Sequence, residues 1–180
     1  MSRWIVCLPL MIGACATAAG TEPVAGPRVE MPRMNTEVAG VKIVYESMSA
    51  PLTLPVSRAQ AWDGLRAAFD SVGLTVRNRD EDAGILGSGN QTVNARLKGV
   101  RLSRLLNCGT SRGLDNADFY EVEIVVTSQV TAVGASATSL STAVQGWAKP
   151  RGTAGSNRLT CSTTGVLETR IAEIVRAASP

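Results

Sequence analysis

The sequence predicts an α+β fold of two layers: an antiparallel sheet with two amphipathic helices packed on one face, following a signal segment and a flexible tether. Apolar residues recur at helical spacing after residue 57 and again near the C-terminus, which predicts the two helices. Between them, apolar and polar residues alternate through two long runs, which predicts strands with one buried and one wet face. At 180 residues, 44% hydrophobic and 18% charged, the chain has material for one such domain.

Residues 1–14 are predicted to be a lipoprotein signal peptide. Arg3 makes a short positive region, and the apolar stretch over residues 4–12 is far shorter than the roughly 20 residues that a membrane span needs. The motif Ile12-Gly13-Ala14-Cys15 then resembles the lipobox of bacterial lipoproteins. This resemblance implies that Cys15 receives a diacylglycerol thioether and acyl chains such as palmitate, which would anchor the mature protein to a membrane.

An alternative cleavage signal lies directly after the lipobox. Ala16-Thr17-Ala18 fits the small-x-small pattern of ordinary secretory cleavage. Cleavage there would remove Cys15 and release a soluble periplasmic or secreted protein.

Residues 15–40 are predicted to be the lipidated N-terminus and a flexible tether, because three prolines between residues 23 and 32 interrupt any apolar period. A single α+β domain is predicted over residues 41–180. Alternation over residues 41–46 predicts either a short edge strand or a partner-binding segment.

The first part of the domain contains the clearest element. A short strand over Leu52–Val56 leads into a helix that Ser57 caps, with Gln60 as the partner in a capping box and Gly73 at the C-terminal end. Two strands, residues 74–77 and 85–88, are then predicted to form a hairpin around an acidic turn. We interpret the acidic residues of this turn as solvated rather than as calcium ligands, because they lack the spacing of a calcium loop.

Residues 90–113, here called the strap, have no clean helical or strand period. Leucines and valines alternate irregularly with basic residues, and the segment ends near Cys108. A connection this long is typically functional or mobile. The first interpretation is a binding surface for an anionic partner, either lipid headgroups or an acidic protein face, formed by Arg96, Lys98, Arg101 and Arg104. The second is a solvated strap whose leucines simply cover the sheet.

The second half of the domain is predicted to be a long antiparallel hairpin followed by a helix. Residues 119–133 and 137–148 alternate in register with a short turn between them. Apolar residues from Leu167 to Ala178 then recur at helical spacing. Glu121 and Glu123 lie on one face of the first strand, and we interpret them as solvated residues rather than an acid/base pair.

Cysteine usage predicts one disulfide. Cys7 lies in the signal and Cys15 is the lipidation site, which leaves Cys108 and Cys161 in the domain. In an oxidising compartment such a pair is expected to be joined. A metal or redox pair is disfavoured because there is no CxxC spacing and no histidine in the chain, so we predict no metal and no cofactor.

The stretch from Leu52 to about Ser88 resembles a known family. It contains a strand, a capped helix that carries Trp62, a Gly-Leu-x-Val strand that begins at Gly73 and an Asp-x-Gly turn at Asp82. This series of elements is similar to repeats in the C-component lipoprotein of the outer-membrane β-barrel assembly machinery. The order of elements also resembles a helix-grip arrangement. The resemblance implies a non-enzymatic role and supplies no catalytic residues.

We therefore expect a non-catalytic, lipid-anchored envelope protein that acts as an accessory or binding component in outer-membrane or envelope assembly or maintenance. Ala16 stands where an Asp retains some lipoproteins in the inner membrane, which favours the outer membrane, facing the periplasm. The expected partners are the membrane, through the lipid, and an envelope protein. Nucleic acid is disfavoured because the net charge of +3 is spread over scattered arginines with few aromatic residues.

Two other functions stay open. One is a carrier that holds a lipid or glycan between sheet and helices. The less favoured one is an envelope hydrolase, which would need an unusual Ser-Lys or carboxylate mechanism because the chain has no histidine.

Overall fold

The computed structural model of the protein describes residues 37–38, 41–42, 49–152 and 158–178. The predicted signal peptide, Cys15, most of the predicted tether and residues 43–46 of the first alternating segment lie outside the described residues. All described residues belong to one unit, Arg33–Pro180, which begins within the segment predicted as tether.

The strands and helices follow in chain order. The described strands are β1 (Glu37–Val38), β2 (Val41–Lys42), β3 (Leu52–Leu54), β4 (Asn78–Asp80), β5 (Ile85–Gly87), β6 (Gln91–Asn94), β7 (Arg96–Leu97), β8 (Val100–Arg101), β9 (Leu106–Asn107), β10 (Thr110–Ser111), β11 (Leu114–Asp115), β12 (Glu121–Gly134), β13 (Ala137–Lys149) and β14 (Leu159–Thr163). The described helices are α1 (Arg58–Val72), α2 (Asn116–Phe119) and α3 (Val166–Ala177), and a 3-10 turn covers Leu102–Arg104.

The long hairpin β12–β13 forms the centre of the main sheet. Its strands pair antiparallel along almost their whole length, with Val126 opposite Val144. On the side of β12 that faces away from β13, β6 pairs with the N-terminal end of β12 and β5 pairs with its middle. On the side of β13 that faces away from β12, β3 pairs near the N-terminal end of β13 and β14 pairs near its C-terminal end. β4 extends the sheet beyond β5, and β9 extends it beyond β14.

One face of this sheet packs against α1 and α3, which confirms the predicted α+β fold. Buried residues alternate along β12 and β13, as in Val122, Ile124, Leu140 and Val144. This alternation gives one apolar face, because successive strand side chains point to opposite sides. The two helices pack against each other over this face, and Gly64 of α1 permits the approach: a Cβ atom there would lie 3.2 Å from the Cα atom of Val175 in α3.

The ends of α1 are those that the sequence predicts. The Ser57 side chain accepts a hydrogen bond from the backbone N–H of Gln60, and the Gln60 side chain accepts one from the backbone N–H of Ser57. Gly73 ends the helix in the left-handed conformation at φ 80°. These contacts satisfy backbone groups that a helix leaves unpaired at its ends.

Helix α3 begins without a side-chain cap. Its N-cap residue is Gly165, which makes no side-chain capping bond. Glu168 in the first turn is buried and accepts a 2.7 Å hydrogen bond from the Thr163 hydroxyl.

Part of the predicted hairpin after α1 is displaced. Residues 74–77 are not a strand; β4 lies in the polar stretch that follows them, and Asn78 pairs with Gly87. The displacement arises because the turn is tight: Gly84 donates its N–H to the carbonyl of Glu81, so strand pairing resumes immediately on either side of the turn.

The strap is also more regular than the sequence indicates. It contains β6, β7, β8, β9 and β10, and β6 is a member of the main sheet through its pairing with β12. The sequence pattern does not predict these strands, because each of them is only 2 to 4 residues long and is too short to show an alternation of apolar and polar residues.

Candidate binding surface

Leucine side chains hold the strap on the core. Four of them are at most 4% exposed and belong to the main hydrophobic cluster: Leu97, Leu102, Leu105 and Leu106. The predicted basic residues Arg96, Lys98, Arg101 and Arg104 are all exposed. The two interpretations of the strap are therefore compatible: its leucines cover the core while its cations face solvent.

Arg96 and Arg101 form a cross-strand pair. They lie directly opposite each other in the β7–β8 hairpin, and Leu97 opposite Val100 is the other pair. Directly opposite residues of an antiparallel pair have Cβ atoms within about 5.5 Å of each other, and like charges at such positions repel. The guanidinium of Arg96 donates to the carbonyl of Gly99 at 2.8 Å. An anionic group held between the two arginines would relieve the repulsion and accept several hydrogen bonds.

Lys98 lies in the loop of the β7–β8 hairpin, and Arg104 lies in the 3-10 turn that follows it. Lys98 takes a left-handed backbone at the hairpin tip, φ 46°, followed by Gly99 at φ 84°. Arg104 ends the 3-10 turn, and its backbone carbonyl accepts a 2.7 Å hydrogen bond from the hydroxyl of Thr164. This hydrogen bond connects the strap to the segment that precedes α3. Lys98 lies beside the C-terminal end of α1, since a Cβ atom added to Gly73 would be 3.2 Å from the Cβ atom of Lys98.

Asp118 is the main acidic contact of this surface. It accepts hydrogen bonds from the backbone N–H and the hydroxyl of Ser103 at 3.0 and 2.9 Å. Its carboxylate also lies 3.8 Å from Nε of Arg101, and its side chain is only 11% exposed. Asp118 therefore fixes α2 against the strap, and its carboxylate offsets part of the charge of Arg101.

The predicted disulfide between Cys108 and Cys161 is confirmed. The two sulfur atoms are bonded, and the bond joins the strap to β14. The carbonyl of Cys108 also accepts a 3.1 Å hydrogen bond from the side-chain amide of Asn116. The C-terminal part of the strap is therefore fixed to the sheet by the disulfide and to α2 by the hydrogen bond from Asn116.

Three residues that the sequence reasoning did not select extend the surface. Arg112 lies at the tip of the β10–β11 hairpin with φ 53°. Leu114 in β11 and Phe119 at the end of α2 are large apolar residues that are 52% and 54% exposed. Arg112 lies within the strap, and its charge could have identified it together with the other basic residues. An exposed apolar residue in an irregular segment has no periodicity to reveal it, so only the tertiary structure identifies Leu114 and Phe119. We call residues 96–120, which include them, the basic lobe.

A shallow depression of about 510 Å³ lies beside the basic lobe, at the start of α3. It is open to solvent, and its lining includes Thr164, Thr169, Arg170 and Glu173. Thr164 also bonds the backbone of the strap, so the depression adjoins Arg104. Because it is open to solvent, it differs from the enclosed chamber that a lipid carrier needs.

Within the part of the chain that the structure describes, no group of three or more His, Cys, Asp or Glu side chains is arranged to hold a metal ion. Among the helices described, none is both long and apolar enough to cross a membrane. Compared with known proteins, the chain matches no family model, and no curated protein is significantly similar to it.

Proposed function

We propose that this protein is a non-catalytic, lipid-anchored component of the bacterial envelope that binds an anionic partner through the strap. The observation that supports this proposal most strongly is the construction of the strap. Its basic side chains are exposed, while buried leucines and a disulfide hold its backbone. A surface of fixed shape loses little conformational entropy when it binds.

The anchor rests on Cys15 and its lipobox. Acyl chains on that cysteine, at about 0.8 kcal/mol per buried methylene, would keep the protein on a membrane. A tether between the lipid and the domain would hold the strap at a high local concentration near envelope partners. The resemblance of residues 52–88 to the C-component lipoprotein of the β-barrel assembly machinery, together with Ala16 after the cysteine, supports an accessory role at the outer membrane.

Packing between sheet and helices favours surface binding over the carrier function. Leu65 and Phe69 of α1 and Ile171 of α3 are fully buried and belong to the same apolar cluster as the sheet residues. A bound lipid or glycan would have to displace these side chains. Core side chains that are close-packed resist such displacement.

Crosslinking in cells tests the anchor and the strap together. A photoreactive residue would replace Thr110, which is exposed in β10, and in a control chain it would replace Ala67, which is exposed on α1. Each would be introduced into the wild-type chain and into Cys15→Ala and Cys7→Ala variants, with fatty-acid labelling and membrane fractionation of the same cells.

We expect fatty-acid label in the wild-type chain and in Cys7→Ala but not in Cys15→Ala. We also expect crosslinks to envelope lipid or to an acidic envelope protein from position 110 and not from position 67, and a loss of these crosslinks in Cys15→Ala. If Cys15→Ala kept its label and its membrane fraction, the anchor would be refuted. If positions 67 and 110 gave the same products, the strap would be refuted as the binding surface.

A further inference from the structure

We infer that the anionic partner of the basic lobe is a phospholipid surface, and that Leu114 and Phe119 enter its interfacial region. This inference rests on the proposed function, because the lipid anchor is what holds the domain close to a bilayer. It goes further by naming the partner's chemistry and two residues that electrostatics alone would not select.

The basic residues are scattered along the chain without a continuous run, but their excess over acidic residues falls within the basic lobe. Residues 96–120 contain five Arg or Lys residues and two Asp residues, whereas the other 155 residues contain thirteen basic and thirteen acidic residues. The lobe therefore carries a charge equal to the whole net charge of +3. Basic residues close to an anionic leaflet each strengthen binding by about fivefold.

Apolar side chains project from the same lobe. Seven large hydrophobic residues are exposed among those described, and Leu114 and Phe119 are two of the three most exposed. Leu114 follows the turn that carries Arg112, and Phe119 follows Asp118, which lies beside Arg101. Cations flanking projecting apolar side chains are typical of surfaces that bind the bilayer interface, where the charges contact headgroups and the apolar groups enter the acyl boundary.

Contacts within the lobe fix the relative positions of these groups. The backbone N–H of Asn116 donates to the carbonyl of Gly109 at 3.0 Å, and the hydroxyls of Ser111 and Tyr120 are 3.2 Å apart. Asp118 joins α2 to the 3-10 turn through Ser103. The segments that carry Leu114 and Phe119 are therefore joined to the 3-10 turn that follows the cationic β7–β8 hairpin, so that they belong to one connected lobe rather than to independent loops.

The geometry favours a lipid surface over an acidic protein face. Leu114 and Phe119 lie on different elements, a hairpin and a short helix, and both are more than half exposed. A protein partner would need two matching pockets to bury them, since apolar anchors contribute most when they fill pockets. A fluid bilayer accepts both without shape complementarity.

Vesicle co-sedimentation tests the inference. The probe is the exported, unlipidated chain from Ala16 to Pro180, which retains the whole unit Arg33–Pro180. The vesicles contain either phosphatidylcholine alone or an equimolar mixture of phosphatidylcholine and phosphatidylglycerol. An Arg96→Glu/Arg112→Glu variant is compared with an Arg66→Glu/Arg176→Glu control, which has the same net charge but substitutes exposed positions on α1 and α3.

The wild-type chain and the Arg66/Arg176 control are expected to bind the anionic vesicles much more tightly than the neutral ones, because only the anionic vesicles engage the basic residues. The Arg96/Arg112 variant should bind at least about 25-fold more weakly, from two residues at about fivefold each. A Leu114→Ser/Phe119→Ser variant should lose the part of the binding that persists at high salt, because salt screens the charges and not the apolar contact. Thermal unfolding of each variant verifies that it is folded.

Equal binding by the Arg96/Arg112 variant and its control, or no binding of wild type to anionic vesicles, would overturn the inference. A Leu114/Phe119 variant that kept its salt-resistant binding would overturn the insertion of these two residues. If vesicle binding failed while position 110 crosslinked an acidic protein in cells, the inference would fail and the proposed function would stand. If Cys15→Ala remained labelled and membrane-bound, the proposed function would fail whatever the vesicles showed.

Discussion

At the scale of single residues, Gly84 closes the turn between β4 and β5 in a conformation that only glycine adopts easily. Its φ is 68°, its N–H donates to the carbonyl of Glu81, and its own carbonyl accepts a 2.9 Å hydrogen bond from Val130. A Cβ atom at this position would overlap the carbonyl oxygen of Val130. Gly99 has a similar φ of 84° but has open space around it.

Replacing these two glycines separates backbone strain from the steric overlap. Gly99→Ala should lower the free energy of unfolding by about 1 to 2 kcal/mol, which is the cost of a left-handed backbone with a Cβ atom. Gly84→Ala adds overpacking against the sheet and should lower it by about 2 to 5 kcal/mol. Equilibrium denaturation of both variants measures the difference, and equal losses would contradict the close packing of this turn on β12.

Residues with a local chemical signature could be identified from the sequence, and others could not. Ser57, Gln60 and Gly73 form their caps from neighbours in the chain, so their roles are visible locally. The exposure of Leu114 and Phe119 depends on how distant segments fold, and no local pattern encodes it. Four of the five basic residues of the candidate surface therefore followed from the sequence, and its apolar residues did not.

At the scale of elements, regularity decided what the sequence could predict. The helix over α1 and the hairpin β12–β13 were predicted to within about two residues because their periods continue over many positions. β14 and the short strands of the strap were missed, since they are defined by pairing with distant strands rather than by their own pattern. β4 was misplaced because polar residues carry it.

The Cys108–Cys161 bond should be the main fastening of the strap. It closes a separation of 53 residues, and on the chain-entropy model a loop of that size stabilises the folded state by about 4 kcal/mol. We expect reductant to lower the thermal unfolding temperature of the wild-type chain to that of a Cys108→Ser/Cys161→Ser variant. The variant itself should not respond to reductant, and a wild-type chain that was equally insensitive would show that the bond is absent in solution.

At the scale of the whole molecule, the sheet and the basic lobe have different roles. The hairpin β12–β13, with α1 and α3 on one face, supplies the buried core. The lobe is attached to that core by its leucines and by the disulfide, and it contains the excess of basic residues. A packed core that carries a charged, partly apolar lobe suits binding at a surface, and the proposed lipid anchor would keep the domain close to that surface.

The central claim is that the protein acts while anchored through Cys15, and intact mass spectrometry of the mature protein from isolated envelopes tests it most directly. We predict a chain that begins at Cys15, with a mass increase equal to a diacylglycerol thioether with or without an additional amide-linked acyl chain. An unmodified mature chain that begins after Ala18, at Ala19, would contradict the account, because the domain would then be a freely diffusing exported protein.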